Sequence, residues 1–362
     1  MDWSEYPRFA LIALLVLTNL GLVVAMSTSS VAYGPYNSGW DGGSDLRTAV
    51  QADGADATIS TGTEAYVNAE TASVAFVFSP VSAYSPTDIS RIRQFVSRGG
   101  TLVVASERPQ PTNDLLDGLD VDTRVNGTTL RDDRNNYRNA SLPRATNVSD
   151  EPLVDDVDAL TLNRGTVLDI PEQTVTTAPE ERPRVLVRSS STAYLDRNEN
   201  GTLDDDEQIQ SYPVAAAESV GSGRVIVVSD ASVVTNAMLE QEGNAAFTRA
   251  VSQNATTAVL DYSQRPPLPP LTYALLGVRS IPAVQVLLAV MTLGGIAVWA
   301  RRPSLGDFET LQALRDSDEP DTDGQLTESD IAAFVREQHP EWDPERVERV
   351  SQHIIRQRKE TE

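Results

Sequence analysis

Val74-Ala-Phe-Val-Phe78, then Ser85-Pro86-Thr87-Asp88, then Arg98-Gly99-Gly100-Thr101-Leu-Val-Val-Ala105 decide the fold class of this 362-residue chain. Five consecutive apolar residues at Val74–Phe78 are a strand-length run without a polar face, as in a strand covered on both sides. Ser85 supplies an N-cap, Pro86 suits the first helical turn, and Asp88 places a negative charge at the positive end of the helix. Ile89, Ile92, Phe95 and Val96 then form an apolar stripe at helical spacing. Gly99-Gly100 end that helix, and Thr101–Ala105 is a second apolar strand. A strand, a helix and a strand in this order make a βαβ unit, which requires a parallel sheet.

Outward from this unit, a strand near Ser30–Tyr33, a helix around Ser44–Ala52 and a strand near Ala57–Ser60 extend the sheet toward the N-terminus. Toward the C-terminus, Arg184–Arg188, Val214–Val220 and Val225–Val228 read as strands, the last two joined by the hairpin signal Gly221-Ser222-Gly223. Between the halves, Asn113–Asp158 is rich in Asp, Asn and Arg and reads as a partly ordered insertion.

Two longer apolar segments flank this region. Phe9–Met26 is 18 residues, about 27 Å as a helix and just enough for a hydrocarbon core of roughly 30 Å. Asp2 and Glu5 precede it, which favours an uncleaved anchor over a signal peptide. Ile281–Ala300 is followed by Arg301-Arg302, which by the positive-inside rule places the C-terminus in the cytoplasm. The expectation is a cell-membrane protein with two transmembrane helices and both termini cytoplasmic. Residues 1–8 form the inner N-terminus, 9–26 the first helix, 27–263 an extracytoplasmic domain, 264–279 a Pro-rich stalk and 280–300 the second helix. An acidic linker at 301–326 and a helical tail at 327–362 complete the chain. Five Asn-x-Ser/Thr tripeptides, at Asn126, Asn139, Asn147, Asn200 and Asn254, fall between the two segments, as glycosylation acceptors would.

There are 52 acidic residues against 29 basic ones, Lys359 is the one lysine, and the formal net charge is −23. That balance excludes a nucleic-acid binder. Excess acid on both sides of the presumed membrane reads as a solvating surface for high salt, where screening removes self-repulsion. Arg in place of Lys, together with the sequons, points to a halophilic archaeon. The chain has no Cys, which excludes disulfides, a thiol nucleophile and thiolate metal sites.

Ser79-Pro80 at the end of a strand, the Ser85-Pro86-Thr87 cap, Arg98-Gly99-Gly100-Thr101-Leu102-Val103-Val104 and Gly223-Arg224-Val225-Ile226-Val227-Val228-Ser229-Asp230 together resemble the family called domain of unknown function 4350. The resemblance spans roughly residues 28–260. It implies a flavodoxin-like, class I glutamine-amidotransferase-like parallel sheet, here with a β-rich extension, and a partnership with MoxR-type ATPases. A true amidotransferase needs a Cys nucleophile with a His base. His339 and His353 both lie in the tail, and a Ser–Lys pair would depend on Lys359. Carboxylate chemistry is left. Glu107 and Asp230 stand at the carboxyl ends of two strands, where ligands bind in open α/β sheets, and Ser79, Ser106 and Ser229 could line the same crevice. The plain alternative is that these residues cap turns and helices.

Asp196-Arg-Asn-Glu-Asn-Gly-Thr-Leu-Asp-Asp-Asp-Glu207 matches a calcium loop. Asp196, Asn198, Asn200, Asp204 and Glu207 fall at its oxygen-ligand positions, Thr202 at the carbonyl position, Gly201 at the sharp turn, and Leu203 where a side chain packs inward. The alternative is an acidic surface turn, and a glycan on Asn200 would exclude that residue as a ligand. In the tail, Thr327–Asp330 caps a helix through Ile331–Val335, and Asp343-Pro344 starts a second one with Val347, Val350, Ile354 and Ile355 inward. Two such short helices cannot bury their apolar faces alone, so they are expected to pack on a cytoplasmic protein partner or on themselves in an oligomer; the plain alternative is a marginal helical tail with no client. Taken together, the chain reads as a non-catalytic accessory or scaffold subunit with a calcium-stabilised outer domain. The other readings are a carboxylate hydrolase acting on envelope polymers and a ligand sensor.

Overall fold

The computed structural model describes residues 31–171, 182–265, 281, 283–287, 290–291, 328–339 and 342–359. It divides into two units, Met1–Val284 and Gln285–Glu362. In the first unit the elements run α1 (Ser44–Ala52), β1 (Asp56–Ser60), α2 (Glu64–Asn68), β2 (Ser73–Phe78), α3 (Pro86–Ser97), β3 (Thr101–Ala105) and α4 (Pro109–Gly118). Six short strands follow: β4 (Arg124–Val125), β5 (Thr129–Arg131), β6 (Arg144–Ala145), β7 (Asn147–Val148), β8 (Leu160–Thr161) and β9 (Leu168–Asp169). The unit closes with β10 (Arg184–Arg188), β11 (Tyr194–Asp196), β12 (Pro213–Val220), β13 (Gly223–Val228), α5 (Asn236–Leu239), α6 (Glu242–Ser252) and β14 (Thr257–Asp261).

Eight strands form one sheet in the order β1-β14-β2-β3-β13-β12-β10-β7. The first five are mutually parallel, and the last three alternate in direction. Every residue of β2 is buried. Because side chains alternate along a strand, Val74, Phe76 and Phe78 enter one core with Leu46 and Val50 of α1 and Phe247 and Val251 of α6. Ala75 and Val77 enter the other with Tyr66 of α2, Ile92 and Phe95 of α3, and Leu115 and Leu116 of α4. Each such Val, Leu, Ile or Phe side chain, fully buried, contributes roughly 1.5–3 kcal/mol, so the two faces rather than local propensity hold the sheet.

The βαβ unit forms as its sequence dictates. Ser85 Oγ accepts from Asp88 N at 3.2 Å and Asp88 Oδ2 accepts from Ser85 N at 3.2 Å, a reciprocal cap with Pro86 behind it. Gly99 takes φ +113°, and a Cβ on Gly100 would stand 2.5 Å from the Phe95 ring. The β12–β13 hairpin also forms, with Val220 paired to Gly223.

Other expectations are corrected. Residues 31–33 make a turn and bend, not a strand, with Tyr33 at φ +63°. Asn113–Asp158 is built from α4 and short ribbons (β4–β9, β5–β11, β6–β8) rather than partly ordered, and it sends Leu130, Ala145 and Val154 into the core. Its polar residues are used for backbone hydrogen bonds: buried Asp132 accepts from Arg134 N at 2.9 Å and Asn135 N at 2.8 Å. The two-span membrane architecture and the cell-membrane localisation built on it are overturned, because among the described residues no helix is long and apolar enough to cross a membrane. Phe9–Met26 lies outside the described residues, as does much of Ile281–Ala300 and the stalk from residue 266. In the second unit, α7 (Glu328–Gln338) and α8 (Pro344–Lys359) form the expected helical pair, joined through Val335 and Val347 with Trp342 stacked on His339 at 4.0 Å.

Glu218 on β12 is buried, and its carboxylate receives Thr123 N and Asp122 N, each at 2.7 Å, which ties the segment after α4 to the sheet. Glu218→Ala leaves both N–H groups without an acceptor and is expected to cost about 2–4 kcal/mol. Urea unfolding measures this, and a loss below about 0.5 kcal/mol, the range of ordinary surface changes, would refute the clamp.

Candidate functional site

The parallel strands deliver their carboxyl ends to one edge. Ser79 follows β2, Ser106 and Glu107 follow β3, and Ser229 and Asp230 follow β13. The structure thus brings together all five residues that the sequence nominates for a crevice. Ser79 adopts φ +32°, a region that a non-glycine residue occupies only when its surroundings hold it there. Its Oγ donates to Glu107 Oε1 at 3.0 Å and its N–H donates to Ala105 O at 2.8 Å. Glu107 also meets Arg108 Nε at 3.3 Å and Ala231 N at 3.5 Å. Ser106 Oγ accepts from Thr112 Oγ1 at 2.8 Å and from Arg108 N at 3.1 Å. Buried Ser229 Oγ has no partner.

Asp230 is the most heavily held. Its Oδ1 accepts from Ser232 N at 2.7 Å, and Oδ2 accepts from Asn163 N at 2.5 Å and Ser232 Oγ at 2.8 Å. Burial pushes its pKa up to about 7 against the pull of those donors, with Glu107 adding to the rise. The carboxyl is 1% exposed and Ser79, Ser106 and Ser229 are equally sealed, so of the five only Glu107 reaches solvent. Among the described residues a cavity of about 800 Å³ lies away from these five, between α1 and α6, with Asp45, Ala49, Leu239, Glu242 and Arg249 on its walls.

The sequence reading misses a second polar cluster on the same edge. Asp261, at the end of β14, accepts from Tyr66 Oη at 2.6 Å, Tyr84 Oη at 3.0 Å and Ser263 N at 2.7 Å. Burial raises the pKa of Asp261, and burial beside Asp261 raises both phenols. Arg265 spans the neighbouring strand end, donating to Phe78 O and Ser79 O at 3.3 and 3.1 Å with its guanidinium 4.5 Å over the Tyr33 ring. The apolar run Ala258-Val-Leu260 before Asp261 is the signal that could have found this cluster.

The second nominated site is the loop after β11. Gly201 turns at φ +79° and Glu199 at φ +57°. Gly201 N donates to Asp196 Oδ2 at 3.0 Å, and Arg197 N and Asp204 N donate to Glu207 Oε1 and Oε2 at 2.7 and 3.3 Å. Asn198 and Asn200 each donate an amide N–H to Asp204 Oδ2, at 2.7 and 2.6 Å, and Thr202 N donates to Asn200 Oδ1 at 2.8 Å. Leu203 does not pack inward: it is 39% exposed, because the loop stands on the surface without a paired second loop to receive it. Among the described residues no three His, Cys, Asp or Glu side chains converge as a metal site on their own. Of the sequon residues, Asn139, Asn147, Asn200 and Asn254 are exposed, whereas half-buried Asn126 donates its amide to Asp169 at 2.9 and 3.1 Å.

The chain belongs to the family described as Domain of unknown function (DUF4350), whose model matches residues 35–251. No curated protein matches it. Among solved structures it is similar to the mmIFT52 N-terminal domain, at 14% identity over 55% of this chain and 82% of that one, with a TM-score of 0.40. It is also similar to part of the exo-beta-1,4-mannosidase Op5Man5 from Opitutaceae bacterium strain TAV5, at 15% identity over 51% of this chain and 26% of that one, with a TM-score of 0.26. Both scores are too low to carry an activity across.

Asp230 titrates from an ordinary unfolded value of 3.8 to about 7 when folded. The folded state therefore holds the proton more tightly, and this contribution to stability, complete below about pH 4, disappears as the pH rises through about 7. The stability advantage of the wild type over Asp230→Asn should shrink between pH 4.5 and pH 8 in denaturant titrations. An advantage that stays constant would show that Asp230 does not titrate in this window.

Proposed function

We propose that this chain is a non-catalytic accessory or scaffold subunit. One observation carries the reading: at the strand ends, where an α/β enzyme would present reacting groups, the side chains are closed to solvent, Glu107 excepted, and those of Ser79, Ser106 and Asp230 are hydrogen-bonded to the chain itself. The family resemblance adds a glutamine-amidotransferase-like ancestry, in which the absence of Cys would have removed the nucleophile while the sheet was kept. It also suggests the partner, a MoxR-type ATPase. The acidic, lysine-poor surface is consistent with work at high salt, and with a protein partner rather than a nucleic acid. Support for a docking element comes from the α7–α8 pair, which buries Val335 and Val347 yet leaves Phe334 63% exposed.

A carboxylate hydrolase is the second reading, favoured by the raised pKa of Asp230 beside Glu107. The two are separated by assaying the full chain in molar salt, first on chromogenic glycosides and esters and then for co-elution with a MoxR-type ATPase of the same organism. The accessory reading expects no turnover, with co-elution that Phe334→Ala weakens. Turnover abolished by Glu107→Gln in a protein that still melts like the wild type would replace it with the hydrolase.

A further inference from the structure

We propose that the loop Asp196–Glu207 binds one calcium ion, independently of the accessory reading. Its donors would be the Asp196, Asn198 and Asn200 side chains, the Thr202 carbonyl, Asp204, and both oxygens of Glu207. The spacing alone would leave an acidic surface turn as an equal account. What separates the two is Asp196. Its side chain is 3% exposed, and Oδ2 is held over the loop by the Gly201 N–H, yet the companion oxygen Oδ1 has no hydrogen-bond partner at all. A buried carboxylate oxygen without a donor is costly, and turn formation gives no reason for it. An ion coordinated by Oδ1 does.

Charge points the same way. Asp196 and Glu207 are both buried, at 3% and 7% exposure, and Asp204 is half-buried between them. The ion pair found for these carboxylates among the described residues is Arg131 Nη1, 3.7 Å from Asp196 Oδ2, the oxygen that also accepts from Gly201 N. The rest of the compensation is dipolar: N–H groups of Arg197, Gly201 and Asp204, and the amides of Asn198 and Asn200 turned onto Asp204. A divalent cation on Asp196 Oδ1 would add the positive charge that these dipoles do not supply. The donors are all oxygen, and they include neutral amides and a main-chain carbonyl. Such a set suits calcium, which takes six to eight oxygens in a flexible shell, over zinc, which prefers nitrogen and sulfur, and over magnesium, which requires a tight octahedron. The ion would join the end of β11 to the approach to β12, so the β5–β11 ribbon would be fastened to the sheet through the metal.

The test uses the full chain in molar NaCl after treatment with EDTA, titrated calorimetrically with CaCl₂ and separately with MgCl₂. Melting temperature and tryptic cutting after exposed Arg197 are followed in parallel. The expected result is one calcium per chain, slower cutting at Arg197, a higher melting temperature reversed by EDTA, and magnesium weaker by about tenfold or more. Glu207→Gln should weaken calcium by about tenfold or more. Since that residue is buried, Asn198→Ala and Asp204→Asn on the open side of the loop guard against simple misfolding and should also weaken binding while the calcium-free melting temperature stays at the wild-type value. The proposal is overturned by a wild type that gives no heat and no melting shift with calcium, or by binding that persists unchanged in all three variants.

Discussion

The burial of β2 on both faces and between two neighbouring strands is the constraint from which the rest of the molecule follows. A strand without a wet side demands helices above and below, and α1 and α6 on one face with α2, α3 and α4 on the other supply them. It also demands that the chain leave a dry layer at every strand end, where backbone and side-chain polar groups must find partners without water. Ser79, Ser106, Asp230 and Asp261 are the means. Each sits at such an exit and is bonded to the chain there: Ser79 to Glu107, Ser106 to Thr112, Asp230 to Asn163 N and Asp261 to Ser263 N. The concentration of polar residues that looks like a reaction centre is therefore first a solution to the exit problem. The left-handed Ser79 is part of it: its N–H still reaches Ala105 O on the neighbouring strand while the chain turns away.

Much of this could be read locally. The Val74–Ala105 unit, its reciprocal Ser85–Asp88 cap and the Gly221-Ser222 hairpin all follow from spacings within a few residues, and each appears in the structure as read. What was not legible depends on pairing at a distance. Nothing around Thr257–Asp261 says that β14 inserts between β1 and β2, and the Tyr66–Asp261 bond joins residues 195 apart in the sequence. The insertion escaped for another reason: ribbons of two or three residues are too short to show a period, so their polar residues look solvated when they are in fact bonding backbone. The membrane reading rested on apolar length, the flanking charges and the sequons between the two segments.

Two buried aspartates show how the remaining chemistry should be apportioned. Asp230 and Asp196 are similarly inaccessible and both follow a strand into a turn, so residue type and burial do not distinguish them. Their oxygens do. Asp230 has three donors on two oxygens, which is the state of a carboxylate whose work is to hold its own chain. Asp196 has Oδ2 engaged by Gly201 N and by a single guanidinium and Oδ1 unpaired, within a loop whose Asp204 and Glu207 are met by N–H dipoles. A fold selected only for closure would have turned a nearby N–H or hydroxyl toward that oxygen, as it did at Asp132, where Ser190, Thr192 and two backbone N–H groups converge. Asp196 Oδ1 is thus left without the donors that the carboxylate of Asp132 receives.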